Sequence, residues 1–265
     1  VLVDSHAHIG ARRFDSDRDK VMERAREAGI SFVFDVGSDL ESSKTAIGLS
    51  QQYDEVYAVI GFHPHNASRM RSGDIERLAE LTQQPKVVAI GEIGLDFYRD
   101  LSPREVQIES FKRQLELAEK LGLPVVIHSR DAQQEVLGIL TDWAERSEQD
   151  KPLGVLHCFS GDTELAERYI EMGFFVSIAG PVTYRNSHAV DVARDIPLEK
   201  LVVETDCPYL APHPYRGKRN EPSYLSFVVE KIGQIRGMPS ELVAEQTANN
   251  VLQLFRLASH LKGVL

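Results

Sequence analysis

The chain is short of several things, and each shortage excludes a class of protein. Among its 265 residues are two cysteines, Cys158 and Cys207, too few for the disulfide framework of a small secreted domain. No apolar run is long enough to cross a bilayer, so no membrane partner is expected. The opening stretch VLVDSHAHIG shows no basic segment followed by an apolar one, and a cytoplasmic protein is the expectation. Positive charge is scarce as well. A formal net charge of −10 argues against a protein that coats nucleic acid through a broad basic surface. It leaves open an enzyme acting on phosphate esters, because a bound cation inverts the local field at a carboxylate-rich site. No G-x-G-x-x-G follows an apolar run, which counts against a dinucleotide-binding fold. No linker, low-complexity tract or charge block marks a boundary, so residues 1–265 are read as one domain, and as a monomer.

What is present is a repeat of strand and helix. Short apolar runs, most of them rich in Val, Ile or Phe, occupy residues 1–9, 31–37, 56–64, 87–93, 124–129, 154–159, 174–178 and 201–206. Amphipathic stretches separate them. Residues 18–28 stop at Gly29, 102–121 at Gly122 and 163–172 at Gly173, each glycine a helix stop. Such alternation implies parallel strands joined by right-handed crossovers. Eight units predict an α/β fold closed as a single (β/α)8 TIM barrel, with an open doubly wound sheet as the alternative. A further C-terminal helix over 240–257 is expected, its Leu242, Leu252 and Phe255 forming a core-facing stripe.

A parallel barrel carries its active site at the carboxyl ends of its strands. His6 and His8 close the first run, His63 the third, Glu92 the fourth, His128 the fifth, His157 the sixth and Asp206 the eighth. Chance would scatter these side chains over both ends and the helices. His6 and His8, two apart in a strand, present both imidazoles on one face, where two nitrogens can converge on one ion. Asp4 has the same parity and could accept from a ligand's second ring nitrogen. His6, His8, Glu92, His128, His157 and Asp206 are therefore expected to hold divalent ions, since six such groups at a barrel mouth would be costly to bury without one.

The remaining polar residues divide less sharply. His63 could serve the reaction or hydrogen-bond near Pro64, and His65 is expected to be solvated. Glu204 could orient a ligand or close a buried salt bridge. Arg130, Arg216, Lys218, Arg219 and Asn220 stand near the mouth, where guanidinium suits phosphate, although a charged loop is also read as simply solvated. His188, His213 and His260 carry no constellation. Cys158 and Cys207 follow His157 and Asp206 directly, so alternation should turn both toward the helices. Two strand spacings separate them, which predicts free thiols.

The motifs DSHAH (4–8), GFHP (61–64), GEIGLD (91–96), IHSRDA (127–132), HCFSG (157–161), ETDCPYL (204–210) and RGKRNEP (216–222) resemble those of the TatD family of metal-dependent deoxyribonucleases. The likeness runs from Asp4 to about Phe255. It implies two divalent ions, with Mg, Zn, Mn, Ni and Co all compatible with such ligands. By that resemblance His6, His8 and Asp206 hold the first ion, His128 and His157 the second, and Glu92 bridges both. The resemblance also marks His63 as close to the reacting phosphate. Asp206, a metal-bound acid at a strand end, is the expected general base, and Arg130, Arg216 and Asn220, by their place at the mouth, are the expected substrate contacts. The implied substrate is the end of a DNA or RNA strand, cut as a 3'-5' exonuclease cuts. Hydrolysis of another ester or amide, such as an aminoacyl ester or lactone, is the alternative, and a non-enzymatic metal-binding scaffold a third.

Overall fold

The computed structural model describes residues 1–147 and 151–257. Its centre is one eight-stranded parallel sheet in the order β1 to β8. The strands are β1 (Leu2–Ala7), β2 (Ile30–Val36), β3 (Val56–Ile60), β4 (Val87–Asp96), β5 (Val125–Arg130), β6 (Gly154–Leu156), β7 (Phe174–Ile178) and β8 (Leu201–Val203). Backbone bonds from Asp206 N–H to His6 O (3.0 Å) and from His8 N–H to Cys207 O (2.7 Å) tie the chain after β8 to β1 and its end. The molecule is thus a (β/α)8 barrel, and the open-sheet alternative falls away.

The outer layer consists of α1 (Arg18–Glu27), α2 (Leu40–Gln52), α3 (Asp74–Leu81), α4 (Arg104–Leu121), α5 (Gln133–Ala144), α6 (Thr163–Glu171), α7 (Ala189–Asp195) and α8 (Leu225–Arg236). Local chemistry sets several of their ends. Asp39 and Ser42 form a reciprocal cap on α2, and Asp162 accepts from Leu165 N–H at the start of α6. Gly122 ends α4 at φ 64°, a left-handed conformation that a residue without Cβ adopts freely.

A final helix, α9 (Ser240–Leu254), covers the amino-terminal end of the barrel. Its Asn250 donates to Leu198 O and Leu201 O, at the entry to β8. Val251, Leu252, Leu254 and Phe255 join Val3, Phe34, Val126, Phe175 and Val202 in one buried cluster, each large side chain contributing about 1.5–3 kcal/mol. The helix is three residues shorter than the expected 240–257, and Leu242 is 49% exposed, so it is not part of the core stripe. With that end plugged, the large cavity among the described residues opens at the opposite mouth. Among the described residues, no helix is long and apolar enough to cross a membrane.

Candidate metal centre

The barrel's carboxyl-end mouth holds a cavity of about 740 Å³ lined by His8, His63, Glu92, His128, His157 and Asp206, among others. Strand alternation delivers part of this set, and pairing between neighbours delivers the rest. In β4 the residues Glu92, Gly94 and Asp96 share a face, and Gly94 lies opposite His128 of β5. A Cβ at Gly94, whose φ is 137°, would meet His128 O at 2.0 Å. Glycine thus lets His128 sit between the two acids. Its Nδ1 lies 2.8 Å from Glu92 Oε1, and its Nε2 lies 3.2 Å from Asp96 Oδ2.

Two donor groups meet at Glu92. His6 Nε2 and His8 Nε2 are 3.3 Å apart, and they lie 3.6 and 3.7 Å from Glu92 Oε2. Asp206 Oδ1 is 4.0 and 3.5 Å from the same two nitrogens. On the other carboxylate oxygen, Glu92 Oε1, converge His128 Nδ1 at 2.8 Å, His63 Nε2 at 3.4 Å and His157 Nε2 at 3.6 Å. Donors bound about 2.0–2.1 Å from one ion lie about 2.9–3.4 Å apart, for octahedral and tetrahedral arrangements respectively. The 3.3–4.0 Å spacings among His6, His8 and Asp206 approach this range, and His63, Glu92 and His128 form a second close group of donors, while the His128 and His157 ring centroids stand 6.2 Å apart.

Where a second ring nitrogen meets an acceptor, it decides which lone pair faces the cavity; His6 Nδ1 is buried without one. His8 Nδ1 is 2.8 Å from Val36 O, an acceptor only, so the Nε2 lone pair is left to face the cavity. Asp96 does the same for His128, leaving Nδ1 free. His157 Nδ1 lies 2.8 Å from Glu204 Oε1 as an ion-pair contact outside hydrogen-bond alignment, and its Nε2 faces Glu92. Glu204 is in turn held by Cys158 N–H at 2.9 Å and Ser177 Oγ at 2.6 Å. His63 differs. Its Nδ1 accepts from His65 N–H at 3.1 Å, so a neutral His63 carries its proton on Nε2, the atom facing Glu92. That makes it a donor toward the cavity and unsuited to bind an ion there.

Burial and mutual charge tune these groups in opposite directions. Burial opposes the charged form of every one of them. Against it, Asp206 and Glu92 hold the His8 proton and push its pKa up to about 9. Glu204 and Glu92 raise His157 to about 10. For His63 burial prevails and brings it down to about 4, so it is neutral at pH 7. His6 is lowered by burial and by neighbouring His157. Burial pushes Glu92 and Asp206 upward, but the imidazoles around them overcome it, and both carboxylates stay ionised.

Several sequence expectations need correction. Asp4 is not an imidazole acceptor, because its carboxylate takes Thr205 N–H (2.9 Å) and Thr205 Oγ (2.6 Å). His65 is not merely solvated, since its Nε2 lies 2.8 Å from Asp96 Oδ2 and it lines the cavity. Cys158 also lines the cavity instead of turning to the helices, because β6 ends at Leu156 and Cys158 adopts φ 42°. Cys207 is buried as expected, and both thiols are free. Asn220 has no exposed surface to offer a substrate. Its Nδ2 donates to Thr205 O and Tyr209 O, each at 2.7 Å, bracing the turn that carries Asp206 at φ 53°. Arg219 makes a two-pronged ion pair with Asp17 (2.7 and 2.6 Å), and Arg216 stacks over Tyr184 outside the cavity lining. Arg130 does line the cavity. Sequence reasoning missed Asp96 altogether, although its parity with Glu92 in GEIGLD is the signal that could find it. Of the histidines without a constellation, His260 lies outside the described residues.

An α/β barrel with histidines and carboxylates sunk in its mouth has the build of a metal-dependent hydrolase. Residues 3–256 match the family described as TatD related DNase, and the chain belongs to that family of metal-dependent hydrolases. It is 41% identical to the uncharacterized metal-dependent hydrolase YabD of Bacillus subtilis, over 97% of this chain and 100% of that protein. It is 36% identical to the 3'-5' ssDNA/RNA exonuclease TatD of Escherichia fergusonii, again over 97% of this chain and 100% of the relative. Among solved structures, YJJV, a TatD homolog from Escherichia coli K12, superposes with a TM-score of 0.89 at 30% identity, covering 96% of this chain and 98% of that one.

Proposed function

We propose that this protein is a 3'-5' exonuclease that hydrolyses phosphodiester bonds at the ends of single-stranded DNA or RNA, using two divalent ions. The first ion would be held by His6, His8, Glu92 and Asp206, and the second by Glu92, His128 and His157. The ions would supply Lewis acidity at the phosphoryl oxygens and make water a nucleophile near neutral pH. Asp206 would take the proton of the attacking water. His63, neutral with its proton on Nε2, would donate a hydrogen bond to a phosphoryl oxygen rather than act as a strong acid. Arg130 would balance phosphate charge at the rim, with Arg216 a candidate further out. The polarity and the choice of single strands rest on the relative named for that activity. The single observation that carries the reading is the sharing of Glu92, with a separate set of imidazoles gathered on each of its oxygens.

The test begins with protein stripped by a chelator and reloaded separately with Mg, Mn, Zn, Ni or Co. Single strands of DNA and RNA labelled at either end, a duplex, a p-nitrophenyl phosphodiester, a lactone and an amide are then compared. Stepwise shortening from the 3' end of single strands is expected, with duplex cut poorly. Turnover of the lactone or amide with no cleavage of any strand would overturn the reading in favour of a different ester or amide substrate.

A further inference from the structure

Large apolar side chains are seldom exposed among the described residues, and those that are do not scatter. They are Val1, Tyr98, Leu101, Tyr209 and Leu242. Three of them, Tyr98, Leu101 and Tyr209, belong to the segments that follow β4 and β8 at the mouth. In a ring of eight strands β4 and β8 are opposite one another, so the two tyrosines rise on opposing sides. Tyr209 stands edge-on to His8, with ring centroids 6.1 Å apart. Tyr98 carries the Arg130 guanidinium 3.9 Å above its ring, and Arg130 closes the strand that bears His128. Tyr209, Leu101 and Arg130 all line the cavity. Among the described residues the Arg130 guanidinium has no hydrogen-bond or ion-pair partner, and it stacks on the Tyr98 ring.

Core packing does not account for these rings, which are more than half exposed at 59% for Tyr98 and 53% for Tyr209. A phosphodiester seated over Glu92 joins two nucleosides that must leave it in different directions. Every nucleobase has a π face, and both tyrosine rings and stacked guanidinium planes take such faces without regard to sequence. We propose that the mouth carries two nucleobase platforms. Tyr209 stacks the base on the His6–His8 side of the scissile phosphate, and the Tyr98–Arg130 pair stacks the base on the His128 side. This inference rests on the phosphodiesterase reading above and adds to it how the strand is gripped. It also explains how a protein of net charge −10 holds a polyanion: the end of the strand is clasped by its bases, with few phosphate contacts.

The experiment uses the metal-loaded full chain and a short oligothymidylate, alongside the same strand with an abasic residue at the terminal or the penultimate position. Wild-type protein should cut each abasic strand about five- to tenfold less efficiently, the low end of what base–aromatic stacking provides. Tyr209→Ala should erase the discrimination at one of the two positions and Tyr98→Ala at the other, while the Phe variants keep it. Equal efficiency of wild type on intact and abasic strands overturns the proposal. So does an equal loss on intact and abasic strands in both Ala variants, the outcome of a purely structural role. If no strand is cut while a lactone or amide is turned over, the phosphodiesterase reading itself has failed, a result distinct from the other two.

Discussion

Asp96 offers the sharpest test of how this centre is organised, because it would touch no ion yet controls two imidazoles. Its Oδ1 accepts from Arg99 N–H at 2.7 Å, and its Oδ2 faces both His65 Nε2 (2.8 Å) and His128 Nε2 (3.2 Å). In Asp96→Asn, one oxygen can keep the Arg99 bond, but an NH2 group then confronts two ring N–H donors. The His128 ring loses its acceptor and the orientation that leaves Nδ1 as the ligand atom. A hydrogen bond to a charged partner contributes about 1.5–3 kcal/mol. Loss of a carboxylate behind a ligating histidine lowers metal affinity about 10–100-fold, or about 1.4–2.7 kcal/mol. The two magnitudes agree. The expected outcome is a protein that still folds, keeps the ion proposed at His6, His8, Glu92 and Asp206, and binds the second about 10–100-fold more weakly. Metal titration by calorimetry on stripped protein, with elemental analysis after dialysis, measures this. Unchanged affinity for both ions would refute the reasoning, and equal weakening of both would mean that Asp96 acts on the whole mouth rather than through His128.

Two further outcomes follow from the tautomers and charges. His63→Ala should retain metal content while losing about 10²–10³ in rate, the usual effect of removing a donor aimed at developing charge; loss of an ion instead would make His63 a ligand. Metal uptake should also release protons. His8 and His157, raised to about 9 and 10 in the metal-free protein, are protonated at pH 7 and must be neutral to bind. Apparent affinity therefore rises with pH up to those values and falls toward acid. Calorimetry in buffers of different ionisation enthalpy reads the protons directly, and a binding enthalpy independent of buffer would contradict this.

Much of the barrel is legible in the amino-acid sequence, because its signals are local. Alternating apolar runs and helix stops such as Gly29, Gly122 and Gly173 announce strand and helix in order, and chain order in a parallel barrel is also spatial order. The gathering of His6, His8, Glu92, His128, His157 and Asp206 at one end follows from their positions at the close of apolar runs. Strand lengths are less legible. β3, β6 and β8 end before His63, His157 and Asp206, so these residues ride on irregular backbone where alternation no longer predicts direction. Cys158 shows the consequence, turning into the cavity at φ 42° instead of toward the helices.

By itself the amino-acid sequence determined which residue types could reach the mouth and that their chemistry suits divalent ions. Tertiary structure alone decided which nitrogen points inward in His8, through Val36 O, and in His128, through Asp96, and set Glu204 against His157. It alone turned Asn220 from a candidate substrate contact into a brace for the Asp206 turn, and bound Arg219 to Asp17 across 202 residues. The reason is physical. Periodicity records the face on which a side chain lies, a property of one strand. A hydrogen-bond partner depends on the register between strands and on loops that return from far along the chain, and no short stretch of sequence encodes that geometry.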